Sequence, residues 1–335
     1  MSRICLYYKR EPERDRWLLG DRYVRSLLRR LIRGNPRPGG VDKVFINLCL
    51  GLDKLGIKYE INLPFDQLKD SDFIGILGRG RNCLKGYNKK NSIVAGIGLM
   101  THPSEWPTLC EDYPVVKYLQ HSEWANNIYK PYFGDRCDIW AVGIDTEAWQ
   151  ENSQVSKTTD FLIYNKIMWN YEITAKTLLQ PIYQILNNRN LTFKELRYGS
   201  YHSQDYKSAL DTCRGMIFLC EHESQGIAYQ ECLASDVPIM AWDQGLCLDP
   251  NRFSWGMPII PATSVPYFDE RCGVKFKDAN EFCNKLDEFT KKLNNHQFTP
   301  RNYILENLTL EKSAQHFIEI LTKTIHFKDK NYSDY

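Results

Sequence analysis

Short apolar runs alternate with helical stretches along almost the whole chain, and this alternation leaves few folds open. Ile4 to Tyr8, Tyr59 to Leu63, Asp72 to Leu77, Ser92 to Ile97 and Val115 to Leu119 have the length and composition of buried strands. Between the first two, Val44, Leu48, Leu52 and Leu55 recur at helical spacing and stop at Gly56. Ile128 to Phe133 and Ile139 to Val142 carry the alternation on, so a parallel sheet with helices on both faces is expected. Residues 150 to 159 are almost wholly polar and mark a linker. A second series follows at once. Phe161 to Tyr164, Glu195 to Tyr198, Met216 to Cys220 and Pro238 to Trp242 read as strands, and Tyr171 to Leu186, Ser203 to Cys213 and Ile227 to Ala234 as helices. The expected class is α/β, with function gathered at the carboxyl ends of the strands.

A length of 335 residues points to two domains of roughly 150 residues each, one large α/β domain being the alternative. The 43 Lys and Arg against 41 Asp and Glu leave a formal charge of +2, too little field for a general nucleic-acid binder, and no nucleic acid is expected as partner. The charge is uneven, with twelve basic and five acidic side chains in residues 1 to 43. A basic amphipathic helix over Arg22 to Arg33, with Trp17, Leu18 and Leu19 ahead of it, could rest on an anionic membrane or simply pack its apolar stripe on its own domain. Eleven scattered cysteines without a C-x-x-C pair fit reduced cytosolic thiols, and neither a metal site nor a cofactor is expected. The apolar opening is too short for a secretory signal and no stretch approaches a membrane span, so the expected location is cytoplasmic, with peripheral membrane contact at most.

The most informative segment runs from Phe218 to Ile239 as strand, loop, helix and strand. Gly226 and Ile227 open the helix, where free backbone N–H groups and the positive end of the dipole suit a diphosphate. Glu223 precedes that point and Glu231 follows within the helix. Carboxylates there would repel phosphate unless they face hydroxyl groups, which points to sugar hydroxyls. Taken alone, the same residues also read as a solvated turn and an exposed helical glutamate.

Glu223, Gly226, Glu231 and Pro238 resemble, in register, the E-x7-E signature of the retaining glycosyltransferase family 4. Ser224 and Gln225 stand where that family usually has Gly-Phe. Gly39-Gly40-Val41-Asp42 is similar to its G-G-x-E loop, with Asp42 for glutamate, and equally fits an ordinary helix start after a Pro-Gly turn. Tyr118 to Trp124, Val142-Gly143-Ile144-Asp145 and Leu162 to Lys166 resemble further segments in the expected order.

The resemblance implies a GT-B fold, two Rossmann-like domains facing a central cleft. Residues 1–152 would form the acceptor domain and 153–310 the nucleotide-sugar domain, while 311–335, from a terminal helix over Arg301 to Leu321, would cross back to the first. It implies a metal-independent, retaining hexosyl transfer from a nucleotide diphosphate sugar to a glycan, lipid-linked or other hydroxyl acceptor, in glycan or cell-surface polysaccharide synthesis. Glu223 would contact the donor sugar, Glu231 the ribose and Lys166 the leaving diphosphate, with Ser224, Gln225, Gly226, Ile227, Gly39 and Gly40 around the donor. The family's second basic residue has no counterpart among Ile167, Met168, Trp169 and Asn170. His102 stands where the family carries a histidine near the reacting sugar; a lone His before Pro also reads as a loop residue with a local partner, and His121 and His222 are alternatives. Gly78-Arg79-Gly80-Arg81 could grip an anion or form a short charged turn. Epimerisation or hydrolysis of a nucleotide sugar, or non-catalytic carbohydrate or nucleic-acid binding, are the alternative functions.

Overall fold

The computed structural model describes residues 2–8 and 39–330, with side chains as far as residue 323. The expected basic helix over Arg22 to Arg33 and the Trp17-Leu18-Leu19 stretch lie outside the described residues. Two sheets are present. The first contains β1 (Ile4–Tyr7), β2 (Tyr59–Ile61), β3 (Phe73–Ile76), β4 (Ile93–Gly96), β5 (Val115–Gln120) and β6 (Cys137–Ile139), in the order β2-β1-β3-β4-β5-β6. From β2 through β5 every pairing is parallel. The second contains β7 (Thr159–Lys166), β8 (Phe193–Arg197), β9 (Cys213–Cys220), β10 (Ile239–Trp242) and β11 (Gly273–Phe276), parallel throughout, in the order β11-β10-β9-β7-β8.

The chain divides into two compact units. Among the described residues, one comprises 2–8, 39–119, Tyr129–Asp138 and 314–330; the other comprises Gln120–Ile128 and Ile139–Ser313. In the second unit the inner strands are continuous apolar runs because both faces are covered: Met216, Ile217, Phe218 and Leu219 of β9 are all fully buried. Phe161, Ile163, Ile217, Leu219 and Met240 form one face of its core, against Leu179, Ile182 and Leu186 of the helical stretch from Tyr171 and Phe282, Leu286 and Phe289 of the helix Ala279–Asn294.

Three expectations need correction. The run Ile139 to Val142 is not a strand; β6 is Cys137–Ile139. Val142 has both main-chain groups engaged elsewhere, its N–H donating to Gln225 Oε1 at 2.9 Å and its carbonyl accepting from Gln225 Nε2 at 3.3 Å. Ile128 to Phe133 belongs to the helix Glu123–Phe133. The terminal stretch is two helices, Pro300–Asn307 and Leu310–Lys330, because the Leu308 carbonyl turns away to accept the Ile144 N–H at 2.7 Å and Thr309 pairs with Ile144 between them. Glycine at 143 permits that approach; a Cβ there would sit 2.4 Å from the Thr309 carbonyl oxygen. The strand β11 and the helix Ala279–Asn294 are additions to the expected elements, the helix carrying an Asp278 cap and Phe282, Leu286 and Phe289 at helical spacing.

In the first unit the last helix is pinned by Phe317. It is fully buried, and a Cβ on Gly75 of β3 would come within 3.0 Å of its ring. Phe317→Ala is expected to destabilise this unit by about 3–5 kcal/mol in urea denaturation. A loss below about 1 kcal/mol would show that the helix contributes nothing to the sheet it covers.

Candidate functional site

In the second sheet the strand order reverses between β7 and β9, the position where open parallel sheets bind ligands at their carboxyl ends. Register alignment puts Lys166, the last residue of β7, beside Cys220, the last of β9. The chain then turns so that Glu223 comes back to Lys166, and the two side chains form an ion pair, Nζ to Oε1. Both are largely buried, 18% and 13% exposed. Burial alone would lower the lysine's pKa, but the Glu223 carboxylate outweighs it and holds the ammonium above its usual value. The same ammonium lies 4.6 Å from the ring centre of Tyr198, just beyond β8.

Residue by residue, the loop from 221 to 226 is tied down. The carboxylate of Glu221 is buried and accepts the N–H groups of Met168 at 2.9 Å and Trp169 at 3.1 Å, fixing the turn after β7. Burial raises its pKa against those bonds, which favour the charged form. His222 stacks on Trp169, ring centres 4.9 Å apart and planes 4° from parallel, and meets Trp124 edge-on at 5.4 Å. Burial depresses its pKa to about 4, so the imidazole is neutral near pH 7. The Glu223 peptide is held on both sides: its N–H donates to the Thr263 carbonyl at 3.0 Å, and its carbonyl accepts the Trp124 indole N–H at 2.9 Å.

Ser224 is partly exposed. Gln225 is buried, and besides Val142 its amide donates to Gln230 Oε1 at 2.8 Å. Its side chain therefore braces the loop. Gly226 has φ +82°, and a Cβ would fall 2.0 Å from the Tyr229 ring, so only glycine fits. From there the helix Ile227–Ala234 begins, its first-turn N–H groups lacking intrahelical acceptors by helix geometry. Glu231 is buried one turn further on, beside Tyr201, whose hydroxyl is pushed up to about 12 by burial with the Glu231 charge adding to it. Tyr201 shares a 2.6 Å hydroxyl contact with Tyr164.

The structure thus brings Lys166, Glu223 and the helix start at Gly226 and Ile227 together at one end of one sheet. Of the other sequence-marked residues, His121, His222, Ser224, Gln225 and Glu231 lie in the second unit and Gly39, Gly40 and His102 in the first. His121 is buried with Nδ1 3.1 Å from the Trp140 carbonyl, and its pKa is depressed by burial to about 4. His102, in the first unit, is buried and caps the short turn Pro103–Glu105: its Nδ1 accepts the Ser104 N–H at 3.2 Å and lies 2.7 Å from Ser104 Oγ. Burial lowers its pKa. Gly39 and Gly40 open the helix Gly40–Lys54, where Asp42 accepts the Gly39 N–H at 2.7 Å and the Tyr8 hydroxyl. A Cβ on Gly39 would lie 3.4 Å from Arg79 Nη2, while Gly40 is open to at least 4 Å. Glu221, Trp124, Trp169 and Tyr198 had no assigned role in the sequence; the signal available was their place at strand ends. Among the described residues no cluster of His, Cys, Asp and Glu is placed to hold a metal ion, and no helix is long and apolar enough to cross a membrane.

No family model and no curated protein sequence matches the chain. Solved structures do resemble it. A mutant of S. aureus TarM, in complex with fondaparinux, α-GlcNAc-glycerol and UDP, superimposes with a TM-score of 0.54 at 12% identity, over 83% of this chain and 58% of TarM. The chain therefore spans little more than half of that protein. The lipopolysaccharide outer core galactosyltransferase WaaB gives 0.54 at 8% identity over 96% of this chain and 99% of its own. Sucrose-phosphate synthase from Thermosynechococcus elongatus gives 0.51 at 9% over 97% and 100%. Two parallel-sheet Rossmann-like units with these likenesses define a GT-B fold.

Two measurements probe the loop. Gly226→Ala should cost several kcal/mol of stability, since the added methyl meets a fully buried ring at a positive φ; unchanged stability would refute the strained turn. His222, whose pKa is lowered from about 6.5 to about 4, cannot take up the proton that the unfolded chain binds in that window. Stability should therefore fall on acidification from pH 6.5 towards 4, by up to about 1.4 kcal/mol per pH unit from this group. His222→Phe should flatten that slope in denaturant titrations, and an unaltered slope would place the acid sensitivity elsewhere.

Proposed function

We propose that the chain is a metal-independent, retaining glycosyltransferase whose donor is a nucleotide diphosphate sugar. The observation that carries this reading is the Lys166–Glu223 pair at the strand reversal, beside the N-terminus of the helix that follows Gly226. A diphosphate at that helix end would meet unpaired N–H groups and the ammonium of Lys166, two sources of positive potential for the charge that develops on the leaving group. As the phosphate draws on Lys166, the Glu223 carboxylate becomes an acceptor for a donor-sugar hydroxyl. Glu231 is assigned to the ribose hydroxyls, one helical turn away. In the transfer, the bond from the anomeric carbon to the diphosphate oxygen breaks, the acceptor oxygen bonds that carbon on the same face, and the acceptor's proton passes to the leaving phosphate.

The GT-B likenesses support the class, and UDP, present in the TarM complex, is the first nucleotide to try. A matching nucleoside diphosphate at a hundred times its Kd should stabilise the protein by about 2.7 kcal/mol, read as a thermal shift. Glu223→Ala and Lys166→Ala should each lower transfer at least about 100-fold with the circular dichroism spectrum unchanged. Wild-type rates in both variants, or no shift with any nucleoside diphosphate, would remove the assignment.

A further inference from the structure

The second unit contains a cavity of about 360 Å³ whose wall is bonded to both sides of the Glu223 peptide. Trp124 and Thr263, the two residues that hold that peptide, both line it. The rest of the lining is mostly apolar, with Ile128, Met257, Ile259 and Ile260 beside two prolines. The volume lies within the usual range of small-molecule sites, roughly 300–1,000 Å³. Glu123 and Asn127 line it too, and both are exposed.

Ser122 is the exception in this lining. It is 3% exposed, and its hydroxyl has no hydrogen-bond partner. A buried hydroxyl without a partner is costly, so the site is incomplete until something supplies one. Water would serve the hydroxyl alone and gain nothing from the isoleucine and methionine walls. A sugar alone could bond Glu123 and Asn127 but would leave the isoleucine and methionine walls without an apolar partner. An occupant with a single oxygen beside an apolar body satisfies both requirements. Ile259, 74% exposed, extends the apolar surface to the rim.

We propose that this cavity is the acceptor pocket and that the acceptor is a hydroxyl compound carrying an apolar alkyl or aryl group. The apolar part packs on Ile128, Met257, Ile259 and Ile260, and Ser122 bonds an acceptor oxygen. The wall residues Trp124 and Thr263 then link the acceptor's cavity to the main chain of the residue assigned to the donor sugar. The inference rests on the glycosyltransferase reading for the word acceptor, but the pocket's preference for an apolar substituent can be measured without any transfer.

The probe is n-octyl β-D-glucopyranoside below its micelle concentration, with methyl β-D-glucopyranoside as control, titrated calorimetrically into the full chain. Each buried methylene contributes about a fourfold gain, so the octyl compound should bind at least about 100-fold more tightly than the methyl one. Ser122→Ala should weaken the octyl compound by about two- to tenfold, and Ile259→Lys by about tenfold or more, with UDP binding unchanged in both. Because Ile259 is exposed, its variant tests the pocket without threatening the core. Equal binding of the two glucosides, or wild-type octyl binding in both variants, would overturn the proposal. Displacement of the octyl compound by UDP would do so as well, by giving the cavity to the donor. Nucleotide binding with no octyl binding would defeat the pocket and leave the proposed function standing; the reverse result would defeat the function, and with it the acceptor role, and leave the apolar pocket standing.

Discussion

A lysine at the end of an interior parallel strand needs a countercharge close by, and the arrangement around Lys166 supplies it. Removing an ammonium from water is expensive unless a carboxylate with good geometry compensates. Lys166 ends β7 next to Cys220 of β9, and the loop leaving β9 is the segment that brings a carboxylate back. Glu223 carries it. The remaining features of the site keep that return path fixed. Glu221 secures the turn after β7, Trp124 and Thr263 clamp the Glu223 peptide, and Gln225 fastens the loop to Val142.

At two points in the second unit the packing admits only glycine. Gly226 occupies a left-handed conformation against the Tyr229 ring, and Gly143 lies against the Thr309 main chain. In both cases the absent side chain is what lets the neighbouring group come close. The helix that starts at Gly226 is buried on nearly every side, so its position is set by packing and its N-terminus is held rigidly at the strand ends. A rigid dipole end beside a charged pair is a preorganised electrostatic site, which needs little rearrangement when charge develops on a ligand.

Several elements were legible from their residues. The helix Ile227–Ala234 and the inner strands of both sheets followed from apolar runs buried on two faces. β11 did not. It is a four-residue strand at the edge of its sheet, and its Lys275 points to solvent and pairs with Asp243 at 2.9 Å, which breaks the apolar run. The break between the last two helices carries one local signal, Thr309, whose hydroxyl accepts the Lys312 N–H at 3.2 Å and caps the second helix, while the pairing with Ile144 is visible only in the fold. Of the site, Lys166, Glu223, Ser224, Gln225, Gly226, Ile227 and Glu231 were marked in the sequence, with His222 as an alternative, but their contacts were not. Glu221, His222 and Trp124 acquire their roles through contacts with residues 20 to 100 positions away, which no local pattern encodes.

Sequence alone determined that this chain forms two parallel α/β sheets, since the spacing of apolar residues fixes which segments can be buried as strands and helices. It also determined that a glycine opens the helix between two glutamates. Tertiary structure decided what those glutamates face. Glu223 meets Lys166 because strand register sets Lys166 beside Cys220 and the loop after Cys220 turns back, and Glu231 is buried beside Tyr201 because its helix is covered on that side. Register and packing are properties of the assembled sheet, and they exist only once both strands are in place.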